Sequence, residues 1–66
     1  MYKIIGRKTY EMDSGHNVDI CDIIADTPDD LPSTSDISND LIGFGSWCYI
    51  ISDGSYHVLN SGGDWV

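Results

Sequence analysis

Apolar and polar positions along this chain change over in short runs, and most runs have the period of a strand rather than of a helix. Tyr2-Lys3-Ile4-Ile5 predicts a short first strand, which Gly6 can bend. Thr9-Tyr10-Glu11-Met12 alternates and either continues that strand or forms a second one. Asp13-Ser14-Gly15-His16-Asn17 has the composition of a turn. In Val18–Ala25, strand spacing places Val18, Ile20 and Ile24 on one face with Asp22 interrupting it, whereas helical spacing would group Ile20, Ile23 and Ile24. The β-branched content favours a strand, and Pro28 ends it by keeping Thr27 out of the helical region.

From Asp26 to Asp40 the chain is rich in turn formers and carries two prolines. This stretch is expected to be a surface loop crossing between two halves of the fold, with Asp36 capping one turn of helix through Asn39. The last third is better defined. Residues 45–52 form a strand, Asp53-Gly54 carries the signal of a two-residue type I′ turn, and residues 55–60 return. That turn would pair Ile51 with Tyr56, Ile50 with His57, Tyr49 with Val58 and Cys48 with Leu59. Ser61-Gly62-Gly63-Asp64 then turns again before Trp65 and Val66.

These elements predict a mostly β fold in a single small domain: a small antiparallel sheet or partly open barrel with a C-terminal β-hairpin and little or no helix. One face of the hairpin would carry Trp47, Tyr49, Ile51, Tyr56 and Val58, the other Cys48, Ile50, His57 and Leu59. A hairpin with one wet side should alternate apolar and polar residues, and this one is apolar on both. Few large side chains remain elsewhere to cover it. The aromatic face is therefore either the core of the domain or an interface, and tyrosine and tryptophan suit an interface because they join apolar area to a polar tip. Trp65 either anchors the chain end beneath the last turn or serves as a contact residue. The candidate interaction residues are Trp47, Tyr49, Ile51, Tyr56, Val58 and Trp65.

With 66 residues the core is small, and a chain of this size usually needs a disulfide, a metal or an assembly partner to supplement it. Cys21 and Cys48 could form one bridge, closing a loop of roughly 27 residues for about 3 kcal/mol. No secretory leader opens the chain, so a reducing cytoplasm and two buried free thiols are expected instead. His16, Cys21, Cys48 and His57 lack zinc-site spacing, and the ten aspartates form no calcium loop. No metal or cofactor is expected. No apolar run is long enough to span a bilayer.

Charge sharpens the picture. The net charge is −8, and the three basic residues, Lys3, Arg7 and Lys8, all fall within the first eight positions. Such a balance argues against binding nucleic acid or anionic membranes. It serves solubility, or else it imitates nucleic acid toward a basic protein. Catalytic signals are lacking: Ser46 has no nucleophile elbow, the glycines form no phosphate loop, and His16 and His57 have no nucleophile partner by spacing.

The run Leu31-Pro32-Ser33-Thr34, Gly45-Ser46, Asp53-Gly54, Tyr56-His57-Val58-Leu59-Asn60 and Gly63-Asp64-Trp65 resembles a module of small accessory proteins in tailed bacteriophages. The resemblance covers residues 31–66. It implies a non-enzymatic structural component, a head fibre, head decoration or tail part, made in the host cytoplasm and located in the virion, with other virion proteins and its own copies as partners. Two other functions stay open from the residues: an acidic inhibitor that imitates nucleic acid, and a carbohydrate-binding module that stacks sugars on Trp47, Tyr49 or Trp65.

Overall fold

The computed structural model describes residues 1–13 and 15–66, with the side chain of Asp13 also left aside. Ser14, within the turn expected over residues 13–17, lies outside the described residues. The described residues form four strands, β1 (Tyr2–Asp13), β2 (His16–Ala25), β3 (Trp47–Ile50) and β4 (Ser55–Val58), in one open sheet of order β1-β2-β3-β4. The fold is mostly β, with little helix and a C-terminal hairpin. A single 3₁₀ turn (Pro28–Asp30) and one short helix, α1 (Thr34–Asn39), lie in the connection between β2 and β3.

The two expected N-terminal pieces are one strand. β1 pairs antiparallel with β2 from Tyr2↔Ala25 to Asp13↔His16, and the bend at Gly6 is a register shift between Ile4 and Gly6. Twelve residues at about 3.4 Å each give about 40 Å, which matches the 40 Å long axis of the molecule. β2 is a strand, as its β-branched residues suggest. Its fully buried face, however, is Cys21, Ile23 and Ala25; on the other face Val18 is buried against Gly43, while Ile20, Asp22 and Ile24 are only half-buried.

The sheet is mixed rather than wholly antiparallel, because β2 and β3 run parallel, from Asp22↔Trp47 to Ala25↔Ile50. Parallel neighbours cannot be joined by a tight turn and need a long crossover. Residues 26–46 supply it, and they do more than bridge a gap. Pro32 is buried, and Leu31 and Ile37 pack against the core. The helix begins one turn earlier than expected. Ser33 is its N-cap, and Asp36 completes a capping box in which each side chain takes the other's backbone N–H. At its other end the Arg7 guanidinium donates to the carbonyls of Asp40 (2.6 Å) and Leu41 (2.9 Å), satisfying groups that the last helical turn leaves unpaired.

The core lies between the sheet and this crossover layer. Cys21, Ile23 and Ala25 of β2, Cys48 and Ile50 of β3, and Ile42 and Leu59 form it, with Tyr2, Ile4 and Trp65 packed at its margin. Both cysteines are free and fully buried within it. Burial pushes the Cys48 thiol above its ordinary pKa, so it stays protonated as a small apolar side chain.

Candidate functional site: the uncovered face of the sheet

The C-terminal hairpin differs from its expected form in register. Trp47 pairs with Val58, Cys48 with His57, Tyr49 with Tyr56 and Ile50 with Ser55, two residues displaced from the pairing that a two-residue turn requires. The cause lies on the other side of β3. The N–H groups of Ile51 and Ser52 donate to the carbonyls of Ala25 (2.9 Å) and Asp26 (3.0 Å), extending the contact with β2. Residues 51–54 are thereby drawn into a wider loop, closed by the Gly54 N–H on the Ile50 carbonyl at 2.9 Å. A type I′ turn would need positive φ at Asp53, and among described non-glycine residues only Leu41 has it. Asp53 instead accepts from the backbone N–H and the hydroxyl of Ser55, and these bonds hold its carboxyl below the usual carboxylate range.

A shift of two residues preserves the face on which each side chain lies. Trp47, Tyr49, Tyr56 and Val58 thus share one face, while Cys48 and Ile50 point into the core. The two faces differ sharply in cover. The crossover layer packs on the Cys48/Ile50 side. On the aromatic side Tyr56 is 65% exposed and Val58 44%, with Trp47 and Tyr49 half-buried. Tyr56 sits at the centre of the cluster, its ring 4.9 Å from that of Tyr49 and 5.9 Å from that of Trp47, tilted by 50° and 59°. Such tilted contacts suit the quadrupoles of the rings and weld them into one apolar surface.

The surface continues across the sheet. Ile24 lies beside Tyr49 and Asp22 beside Trp47, and on β1 Lys3 stands opposite Ile24. Ile51, in the loop after β3, is 53% exposed and shares a shallow hollow with Lys3 and Ile24. Gly6 makes room for the Asp22 carboxylate, since a Cβ at Gly6 would stand 3.0 Å from its Oδ2. Five of the six candidate residues therefore come together: Trp47, Tyr49, Ile51, Tyr56 and Val58.

Trp65 does not join them. It packs at the margin of the core, bridges to Leu59, and donates its indole N–H to the Pro32 carbonyl at 2.9 Å. Asn60 closes the turn before it by accepting the N–H groups of Gly62 and Asp64. Trp65 thus fastens the chain end to the crossover. The reading from residue type alone missed Ile24 and Lys3, whose place on this face depends on pairing between distant strands.

The groups with chemical potential elsewhere are engaged in structure. Ser46 is fully buried, and its hydroxyl donates to the Gly43 carbonyl (2.6 Å) while accepting the Cys21 N–H (2.9 Å). Asp53, Ser55 and His57 make a chain of contacts, with Ser55 Oγ 3.2 Å from His57 Nε2, but serine occupies the middle and gives its proton to the carboxylate. An acyl-transfer triad has histidine in the middle. Among the described residues no group of three His, Cys, Asp or Glu side chains is placed to hold a metal ion.

No family model, no curated protein and no solved structure matches this chain.

Proposed function

We propose that this chain is a non-enzymatic structural protein that docks onto another protein surface through the uncovered sheet face centred on Tyr56. The observation that carries this reading is that Trp47, Tyr49, Tyr56 and Val58 have no layer over them, while the opposite face of β3, Cys48 and Ile50, is fully buried in the core. Proteins seldom leave a contiguous apolar patch in water without a partner for it. The resemblance of residues 31–66 to phage accessory modules suggests the setting, a component held on a virion.

Two features favour protein as the ligand. A pyranose stacks on a flat, free ring face, whereas these rings tilt against one another at 4.9 and 5.9 Å. Four of the described acids, for their part, are tied into the fold rather than left free. Asp19 bonds to Thr9 and Arg7, Asp30 to the N-terminal ammonium, Asp36 to the Ser33 cap and Asp40 to the Tyr2 hydroxyl.

The test is to compare purified particles carrying wild-type chain with particles carrying Tyr56→Lys and Val58→Lys. Wild-type protein should remain on washed particles, and both variants should be lost from them while remaining folded by circular dichroism. Absence of the wild-type chain from particles, or full retention of the variants, would overturn the reading.

A further inference from the structure

We infer that the occupant of the uncovered face is a second copy of this chain, packed face to face about a two-fold axis parallel to the strands; this rests on the docking reading above and names its partner. The first support is the placement of charge. Two chains of −8 each repel, so self-association needs an orientation that keeps their acids apart. Of the acids in the described strands, Asp22 takes a register position on the aromatic part of the uncovered face, beside Trp47, while Asp13, registered opposite His16, lies at the far end of the β1–β2 ribbon. Asp19 turns to the crossover side, where it meets Arg7 and Thr9. Asp26, Asp29, Asp30, Asp36 and Asp40 all belong to the crossover itself. Face-to-face packing puts that acidic layer on the outside of both copies, as far apart as the molecule permits.

The second support is complementarity across the sheet. The rows read Lys3, Ile24, Tyr49, Tyr56 and Gly6, Asp22, Trp47, Val58. A two-fold axis along the strands, between β2 and β3, sets column β1 of one copy over column β4 of the other. Lys3 then meets a Tyr56 ring, a cation on an aromatic face. Asp22 meets Trp47, a carboxylate facing an indole N–H donor. Ile24 meets Tyr49. Each pair occurs twice, as an isologous interface requires. The same operation keeps the strands of the two sheets roughly aligned, which is the ordinary geometry of a sandwich.

The four-stranded part of the face is short, four residues along β3 and β4 or about 14 Å, so the contact is small against the roughly 800 Å² per partner of a standard interface and the association is expected to be weak.

Sedimentation velocity of the full chain, from micromolar to several hundred micromolar, decides the matter. The wild type should sediment at twice its 7.3 kDa. Tyr56→Lys should weaken association by about five-fold or more, because it replaces the cation–aromatic pair at each edge of the interface with two facing lysines, and Lys3→Glu should weaken it too. Circular dichroism of both variants should keep the wild-type signature, because Tyr56 and Lys3 are exposed, while the urea midpoint falls modestly with the lost self-association and, for Tyr56, the lost ring contacts. A wild type that stays monomeric, or a dimer indifferent to both substitutions, overturns the second-copy proposal. If that monomer is still retained on particles through Tyr56, the docking reading survives alone; if it is not retained, both fall.

Discussion

The backbone N–H of Cys21 is bonded to the side chain of Ser46 rather than to another backbone group. β3 begins to pair with β2 only at Trp47, opposite Asp22, so the strand edge one residue earlier needs a substitute partner. The Ser46 hydroxyl supplies it and in the same stroke ties down the Gly43 carbonyl. Ser46→Ala would leave the buried Cys21 N–H without this partner, while the Gly43 carbonyl keeps the Ser46 backbone N–H, at about 1–3 kcal/mol. Urea denaturation should show a lower midpoint with an unchanged slope.

Gly43 sits where no side chain fits. A Cβ there would stand 2.3 Å from Val18 Cγ2 and 2.4 Å from the Asp19 carbonyl oxygen. The second of these is backbone, and it accepts the Gly43 N–H at 2.8 Å, so the clash cannot be relieved without breaking that bond. Gly43→Ala should destabilise the fold by about 3 kcal/mol, the upper end of typical overpacking costs. The loss should appear as a thermal midpoint more than 10 °C lower, on a scale of about 4–8 °C per kcal/mol for a domain this small.

Leu41 has φ of 56°, at the position after the helix where glycine is usual. Its side chain is 69% exposed, so little packing offsets the strain. Leu41→Gly should therefore stabilise the protein by about 1 kcal/mol, raising the thermal midpoint by several degrees. Arg7 binds the Leu41 carbonyl rather than its side chain, and that contact is kept in the variant.

Tyr2 donates its hydroxyl to Asp40, joining the first strand to the end of the helix. The Asp40 carboxylate, by accepting that proton's hydrogen bond, pushes the Tyr2 pKa up to about 12, with burial and the charge of Asp36 adding to the effect. A phenol whose folded pKa is raised contributes stability that is fully present below its unfolded value near 10 and fades as pH climbs toward 12. Stability should therefore fall between pH 10 and 12 in the wild type and fall less in Tyr2→Phe, as followed by urea unfolding across that range. At acid pH the sign reverses. Asp30, bonded to the N-terminal ammonium and Thr27, and Asp19, bonded to Thr9 and Arg7, have lowered pKa values, and their contribution is lost as pH drops through them.

Which of these features a reader of the sequence can see depends on how local their cause is. The aromatic row Trp47, Tyr49, Tyr56 and Val58 is legible because side-chain parity survives the two-residue shift that the Asp53-Gly54 signal does not anticipate. The shift comes from Ile51 and Ser52 bonding to β2, a contact between segments about 25 residues apart in the chain. The deep face of β2 is hidden for another reason. Its members Cys21, Ile23 and Ala25 include two small side chains, whereas the bulkier Val18, Ile20 and Ile24 draw the eye to the opposite face. The parallel pairing of β2 with β3 leaves no local trace, since the crossover resembles an idle loop until Pro32, Leu31 and Ile37 are seen beneath it. Trp65 is legible as an anchor, but only the coordinates separate it from its fellow aromatics.

The parallel joint has one further implication. β1 with β2, and β3 with β4, are each neighbours in sequence that can zip up from their own turns, whereas the central seam must wait for residues 26–46 to be gathered in. Closing so long a stretch is entropically slow. The molecule is thus two hairpins with a fault line between them, and the crossover acts as its clasp. A nick there should therefore loosen the β2–β3 seam before it disturbs the pairing within either hairpin.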